Sequence, residues 1–162
     1  DDQNTDALTG MSICLLEKGN YLESIEYSKK VLSIDNQNSE VWVYLAEAYV
    51  NLDMAEDALM AYLESLKIDK DQPDTLVAVG NLYLDNENYE KALEYLLAAL
   101  KLDKETEGLS IFLSICYCKM GEYNIAKPYI TDAIEKDPKA LQILFEICPE
   151  TESFFLDLKP KE

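Results

Sequence analysis

The sequence predicts an all-α fold, a solenoid of antiparallel helix pairs, and three observations indicate it. Close to half of the 162 residues are apolar, whereas glycine and proline number only five each, a composition that favours helices. Apolar and small residues recur every 34 residues without a gap. Within each period they fall three or four positions apart in two stretches, the spacing of two amphipathic helices. Such a unit is too short to bury a core alone, so we expect the pairs to stack.

The charge and two missing residue types exclude several function classes. The formal net charge of −18 repels nucleic-acid phosphates and anionic lipids, so we expect no nucleic-acid partner and no membrane insertion. The chain has no histidine and no arginine, and all fourteen basic residues are lysines. The usual acid–base and metal-binding side chain is therefore missing, as is the fork that clamps carboxylates. We expect no enzyme, no cofactor and no metal. Carboxylate pairs at helical spacing, such as Glu23 and Glu26, are typical of solvated faces in so acidic a chain.

The 34-residue period defines four repeats and two columns of small residues. The repeats are residues 5–38, 39–72, 73–106 and 107–140, with 1–4 as the end of a preceding repeat junction and 141–162 as a capping helix and tail. The small residues at position 8 are Ser12, Ala46, Gly80 and Ser114, and those at position 20 are Ser24, Ala58, Ala92 and Ala126. Small side chains at facing positions allow two helix backbones to approach closely, so we expect positions 8 and 20 to meet.

Each repeat should consist of a first and a second helix with matching apolar stripes. We expect helices near residues 5–18, 22–35, 39–52, 56–69, 73–86, 90–103, 107–120 and 124–137. Positions 4, 7, 8 and 11 form the core stripe of the first helix, and positions 20, 24, 27 and 28 that of the second. The residues at position 7 are Met11, Leu45, Val79 and Leu113. Gly19 and Gly121 suit the turn between the helices, where a left-handed residue is wanted, whereas Asp53-Met54-Ala55 and Glu87-Asn88-Tyr89 suit it less.

Both ends of the chain carry further expectations. A ninth helix starts near 140–148, and its apolar residues cover the last pair as a cap: Leu141, Leu144, Phe145 and Cys148. Pro149 ends it, Phe154, Phe155 and Leu156 fold back on the same core, and the tail Lys159–Glu162 is loose. Asp1–Asn4 echoes Asp35–Asn38 at positions 31 to 34, so we expect further repeats upstream in the parent protein.

The four cysteines indicate packing and not chemistry. Cys14, Cys116, Cys118 and Cys148 match no zinc or redox spacing, and we expect small buried side chains. Together with the absence of arginine, four reduced thiols favour a reducing, bacterial-type cytoplasm.

The residues that fill these columns resemble the tetratricopeptide repeat (TPR) family over roughly residues 5–140. The residues that carry the resemblance are Trp42, Leu45, Ala46, Tyr49, Ala58 and Tyr62 in the second repeat, and Leu113, Tyr117, Gly121, Ala126, Ala133 and Pro138 in the fourth. The resemblance implies a right-handed superhelical α-solenoid that acts as a protein-binding scaffold or adaptor. It also implies that the first helices line the concave side and hold ligands there.

Five positions of the first helix, namely 2, 5, 9, 12 and 13, lie beside the core stripe and form what we call the first-helix face. Its candidate binding residues are Thr9, Ile13, Leu16, Glu17, Glu40, Val43, Glu47, Val50, Asn51, Asp74, Val77, Asn81, Leu84, Asp85, Ile111, Ile115 and Lys119. An apolar strip is thus flanked by carboxylates, and Asn51 and Asn81 can bond a peptide backbone. The first helices hold only two lysines, Lys18 and Lys119. We therefore expect a protein or peptide partner with apolar and basic residues.

Other interpretations stay open at this point. In one alternative, position 12 and the branched residues at position 5 are core, and the acids serve solubility alone. In others, another part of the parent protein covers the face, or the chain is a structural, self-assembling or regulatory segment. The carboxylate clamp by which related cochaperones hold Hsp70 and Hsp90 C-terminal tails is absent. Its places carry Thr9, Ile13, Tyr44, Asp74 and Ala78, so those tails are not expected partners.

Overall fold

The computed structural model of the protein describes residues 4–154. The expectations for Asp1–Gln3, for Phe155 and Leu156 and for the tail Lys159–Glu162 lie outside the described residues, as does the side chain of Phe154. Within the described range the secondary structure is entirely helical, with α-helices α1 to α9 followed by one 3-10 helix. None of these helices is both long enough and apolar enough to cross a membrane.

The helix bounds confirm those predicted from the sequence. The helices α1 to α9 are Thr5–Glu17, Tyr21–Ile34, Ser39–Val50, Ala55–Ile68, Pro73–Asp85, Tyr89–Leu102, Leu109–Lys119, Tyr123–Lys136 and Ala140–Ile147, and the 3-10 helix is Pro149–Phe154. Each end falls within two residues of its prediction. Asparagines start several of them: the side chains of Asn4, Asn38 and Asn88 accept hydrogen bonds from backbone amides of the first turn at 3.2 Å. These bonds satisfy amides that have no partner inside the helix.

The internal contacts divide the chain into two compact units, the first ending at Thr75 and the second beginning at Leu76, within α5. In the first unit α1 packs on α2, α2 on α3 and α3 on α4. Ser12, Ser24, Ala46 and Ala58 are fully buried, as the two columns of small residues predict. The Ser12 hydroxyl also lies 2.6 Å from the Ser28 hydroxyl, and the Ser24 hydroxyl donates to the Ser12 carbonyl oxygen at 2.9 Å. Buried hydroxyls thus cross-link α1 and α2.

Two core predictions for α1 are wrong. Met11 is 46% exposed, and Cys14 is also exposed, although the equivalent Leu45 and Ala48 of α3 are buried. Positions 7 and 10 share one side of the first helix. The second helix of the preceding repeat, α2, packs against α3. No described helix precedes α1 and packs against it in the same way. Met11 and Cys14 therefore remain uncovered among the described residues.

The second unit contains the rest of α5, helices α6 to α9 and the 3-10 helix. A Cβ atom placed on Gly80 would lie 2.7 Å from two side-chain carbons of Leu96, so no larger residue fits there without a shift. Ala92, Ser114 and Ala126 are fully buried. These are the remaining members of the two small columns, and their burial confirms that positions 8 and 20 are packed in this unit as well.

Helix α9 covers the end of the last pair, as predicted. It packs against α8 and α7 and buries Leu141, Leu144 and Cys148, while Phe145 is half-buried. Cys116 and Cys118 are buried too, which confirms their predicted role as small core side chains. Burial raises the pKa of the Cys116 thiol to about 12, so this group is inert at neutral pH.

The four turns between paired helices share one backbone conformation. Gly19 and Gly121 have φ of 78° and 77°, and Asp53 and Glu87 take φ of 55° at the equivalent places. This left-handed region favours glycine and is unfavourable for a residue with a Cβ atom. The turns that lack glycine are therefore the strained ones, in keeping with the sequence.

Candidate peptide-binding surface

In the first unit, the predicted face is built by α1, α3 and the first turn of α5. Its half-buried members are Thr9, Ile13, Leu16, Val43 and Glu47, and its exposed members are Glu17, Glu40, Val50, Asn51 and Asp74. The aliphatic side chains are thus partly accessible. The carboxylates are with one exception exposed, which gives the apolar and acidic character that the sequence predicts for this face.

A tyrosine that the sequence analysis did not select lies among these carboxylates. The Tyr44 hydroxyl donates a 2.5 Å hydrogen bond to a Glu40 carboxylate oxygen. Burial, this bond and the negative charges of Glu40, Glu47 and Glu17 raise the pKa of Tyr44 to about 12. Three carboxylates from two helices therefore act on one phenol. The helix spacing could have predicted this. Positions 2, 6, 9 and 13 follow one another at intervals of four, three and four residues and so lie on one side of the helix.

Glu47 is the least accessible of the three acids. Burial raises the pKa of its carboxyl above the ordinary value. Tyr62 of α4 lies near it, since burial and then the charge of Glu47 raise the pKa of Tyr62. Within residues 4–154 no ion pair involves Glu17, Glu40 or Glu47. The first unit thus holds a partly desolvated negative charge without a described cation beside it.

In the second unit, five predicted residues line one cavity of about 300 Å³. Asn81, Leu84 and Asp85 come from α5, and Ile115 and Lys119 come from α7. Leu84 and Ile115 are buried, Asn81 is half-buried, and Asp85 and Lys119 are exposed. Two first helices therefore supply an apolar floor with polar groups at the opening.

Four further lining residues were missed from the sequence. Glu87 lies in the turn after α5, Tyr89 begins α6, Phe112 occupies position 6 of the fourth repeat, and Ile147 belongs to α9. The Lys119 ammonium donates a 2.6 Å hydrogen bond to the Ile147 carbonyl oxygen. Helix α9 thus contributes directly to the cavity, in addition to covering the last pair.

Some members of the predicted face are not available at the surface. Val77 is 5% exposed and belongs to the core, so the alternative that position 5 is core holds in α5. Ile111 is half-buried and lines a different cavity, of about 410 Å³, at the other end of α7. The Asn51 side-chain amide donates to the carbonyl oxygen of Glu47 at 2.8 Å, at the end of the preceding helix α3. In contrast, no described hydrogen bond engages the Asn81 amide.

The groups on these surfaces can make apolar contacts, hydrogen bonds and ionic interactions. The part of the chain that the structure describes holds no group of three histidine, cysteine, aspartate or glutamate side chains arranged to bind a metal ion. The side chains gathered on the first helices are aliphatic, aromatic, amide and carboxylate groups, with the ammonium of Lys119 on α7. Such groups recognise apolar side chains, peptide backbone and cations.

The comparisons with known families identify the repeat. Two family models, both described as tetratricopeptide repeat, match residues 15–82 and residues 73–106. Together the matches cover residues 15–106, more than half of the chain, and the second has the bounds that the 34-residue period assigns to the third repeat. A search of curated protein sequences finds no match.

Solved structures with the same fold are numerous. The crystal structure of MamA superposes with a TM-score of 0.79 at 20% identity over 88% of this chain and 83% of that one. YrrB, described as a TPR protein with an unusual peptide-binding site, gives 0.82 at 17% identity over 95% and 79%. A tetratricopeptide repeat protein from Parabacteroides merdae gives 0.76 at 21% identity over 92% and 58%. These likenesses show an all-α helical repeat solenoid, and with the two family matches they show that the chain belongs to the tetratricopeptide repeat family.

Proposed function

We propose that this chain is a non-catalytic protein-interaction module in which the first-helix face of each unit binds a polypeptide segment. The ligand carries apolar side chains together with lysine or arginine. The observation that carries the proposal is the 300 Å³ cavity of the second unit, which five of the residues predicted from the sequence line. A pocket with an apolar floor and a few polar groups at its mouth is the usual form of a binding site.

The charge of the first unit supports a basic ligand. The charges of Glu17, Glu40 and Glu47 all raise the pKa of Tyr44, and no ion pair among the described residues involves these three acids. Because burial disfavours the charged form of Glu47, a cationic side chain placed beside it stabilises that form and lowers its pKa. Binding of a lysine or arginine would thus reduce the free-energy cost of the half-buried Glu47 carboxylate in the unliganded chain.

The amide of Asn81 supports a peptide as the ligand class. It is half-buried, it lines the cavity, and no described hydrogen bond uses it. An amide with both a donor and an acceptor can bond the backbone of an extended segment. YrrB, which shares the fold, is described as having a peptide-binding site, and this favours a peptide over a small molecule.

An array of immobilised peptides of random sequence tests the proposal. The wild-type chain should retain peptides enriched in apolar residues and in lysine or arginine, and should not retain peptides with acidic C-terminal tails. A variant with Glu17→Lys, Glu40→Lys and Asp85→Lys changes only exposed residues of the two faces. It should lose most of this binding, since each reversal replaces attraction of a basic ligand by repulsion.

A matched control distinguishes the effect of changing the two faces from the effect of changing the net charge. Glu26→Lys, Glu56→Lys and Glu90→Lys make the same change in charge at exposed positions of second helices. This control should bind as the wild type does. Equal losses in both triple variants, with both still helical by circular dichroism, would reduce the effect to overall charge and contradict the proposed faces.

A further inference from the structure

Two repeats of the second unit pack a pair of tyrosines between their helices. The rings of Tyr83 and Tyr95 lie 5.6 Å apart with an interplanar angle of 19°, and those of Tyr117 and Tyr129 lie 5.8 Å apart at 10°. In each pair the first ring comes from position 11 and the second from position 23. Stacked rings at this separation stabilise the packing of the two helices beyond the effect of the area that they bury.

The second repeat keeps one ring of this pair and lacks the other. Tyr49 occupies position 11, but position 23 is Ala61. A cavity of about 430 Å³ opens at this place, between α2, α3 and α4 of the first unit. Its apolar lining is Leu32, Trp42, Leu45, Tyr49, Met60 and Ala61. The cavity therefore lies where an aromatic pair is incomplete.

The walls of this cavity suit a flat apolar group. Tyr49 and Ala61 are buried and form its floor, Trp42 is half-buried, and Met60 is 59% exposed at its edge. The Trp42 indole N–H donates to the Asn36 carbonyl oxygen at 3.0 Å, which holds that ring in place. Tryptophan and methionine both make favourable contacts with aromatic rings.

The opening of the cavity carries charged side chains of both signs. Asp57, Glu64 and Lys29 line it, and Glu64 pairs with Lys67 at 2.5 Å. The Lys29 ammonium lies 5.5 Å from the centre of the Tyr49 ring, and this side chain is exposed. An exposed lysine that already lies against one ring can also lie against a second. Among the described residues no ion pair involves Asp57, so this carboxylate favours a basic residue next to the incoming group.

We propose that this cavity receives an aromatic side chain of a partner polypeptide, with a lysine or arginine beside that side chain in the partner's sequence. The ring packs on Trp42, Met60 and Tyr49, in the space that Ala61 leaves. The site uses positions 4, 7 and 11 of α3, whereas the first-helix face uses positions 2, 5, 9, 12 and 13. It is thus a second surface, on another side of α3, and it does not depend on the function proposed for the first-helix faces.

Trp42 provides a direct readout, because it is the only tryptophan of the chain. The probes are two acetylated tripeptide amides, Lys-Phe-Lys and Lys-Ala-Lys. The phenylalanine peptide should change the Trp42 emission in a saturable way, and the alanine peptide should bind at least about tenfold more weakly, since it lacks the ring. Equal responses to the two peptides would overturn the proposal.

Three variants locate the binding. Ala61→Tyr supplies the missing ring from within the chain and should abolish the response to the phenylalanine peptide. Asp57→Lys with Glu64→Lys should weaken it by about tenfold. The matched control, Glu90→Lys with Glu94→Lys, alters exposed second-helix residues of the other unit and should leave it unchanged.

The outcome is decisive even where Ala61→Tyr does not fold. In that case the two double variants decide: equal affinity in both overturns the proposal, and selective weakening at Asp57 and Glu64 supports it. The Glu17, Glu40 and Asp85 triple variant should bind the phenylalanine peptide like the wild type. Loss of binding there would assign the peptide to the first-helix face and overturn the proposal of a separate site.

Discussion

The Lys119 ammonium donates a hydrogen bond to the Ile147 carbonyl oxygen at 2.6 Å, and this bond joins the end of α7 to the end of α9. The last carbonyls of a helix have no partner within the helix, and a cation near them is favourable. A side chain that the sequence predicted to contact a ligand thus also caps the C-terminal end of α9. Binding at the adjacent cavity and order in α9 are therefore expected to influence each other.

Replacing Lys119 by methionine tests this cap. The variant keeps the aliphatic stem and loses the donor, so the end of α9 should open more often. We expect a loss of about 0.5–1 kcal/mol, confined to α9. Hydrogen exchange of residues 140–148 should become faster. Lys18→Met, an exposed change in the first unit, is the control and should leave that exchange as it is.

The buried hydroxyls of Ser12 and Ser28 should be coupled in stability. Ser12→Ala leaves the Ser28 hydroxyl buried without its 2.6 Å partner, which costs about 1–3 kcal/mol. Ser28→Ala should cost less, because Ser12 keeps its bond to the Ser24 carbonyl oxygen. The double variant should be less destabilised than the sum of the two. Urea denaturation of the four proteins measures this, and additive losses would show that the two hydroxyls do not interact.

Ala126→Leu tests the close approach at position 20. Ala126 is fully buried in α8, so a larger side chain should force the helices apart and cost about 1–3 kcal/mol. Ala55→Leu, at an exposed place in α4, is the comparison and should change the melting temperature little. A melting temperature of Ala126→Leu that equals the wild-type value would count against the assigned register.

The turn at Asp53 should gain stability from glycine. Asp53 takes a φ of 55°, in the region that costs a residue with a Cβ atom, whereas Gly121 occupies the equivalent turn at 77°. We expect Asp53→Gly to add about 0.5–1 kcal/mol and to raise the melting temperature by a few degrees. The reverse change, Gly121→Ala, should lower it. The same sign for both variants would show that the backbone conformation does not decide the effect.

Stability should depend on pH through Glu47. Burial raises the pKa of its carboxyl in the folded chain, so the folded state loses stability as the pH rises from the unfolded-state pKa through the folded-state pKa. Glu47→Gln has no such charge. The two proteins should be alike near pH 3, and the variant should be the more stable one at neutral pH.

Denaturation at a series of pH values measures this difference. Glu56→Gln, at an exposed position of α4, should change stability little at any pH. A Glu47→Gln variant that is less stable than the wild type at neutral pH would reverse the sign and contradict the argument from burial. A basic peptide bound to the first unit should reduce the advantage of the variant, since it favours the ionised carboxylate.

The sequence was sufficient for the helices because each repeat carries the same local pattern. Positions 8 and 20 admit only small residues, and Ser12, Ala46 and Ala92 are buried as that rule requires. The repeat pattern could not predict the exposure of Met11. It depends on whether another helix packs against α1, and a column average over repeats hides that difference.

The sequence predicted the chemical character of the binding surfaces better than it predicted which residues line them. Asn81 and Lys119 meet at one cavity as the helix spacing implies, but Ile147 enters it from α9, which the period does not describe. Val77 became core because the burial of position 5 depends on the neighbouring side chains. The cavity beside Tyr49 was overlooked since it reflects a ring that is missing at Ala61, and a search for residues that are present does not reveal it.

The four thiols divide unevenly between the two units, so their rates of chemical modification report on unfolding. Cys14 is exposed in the first unit, while Cys116, Cys118 and Cys148 are buried in the second. A thiol reagent should therefore modify Cys14 at once and the other three only when the second unit opens. The rate of the slow phase measures that opening alone, without a probe having to be introduced. Followed while the first unit is destabilised by Ser12→Ala, it would reveal whether the two halves of the chain unfold together.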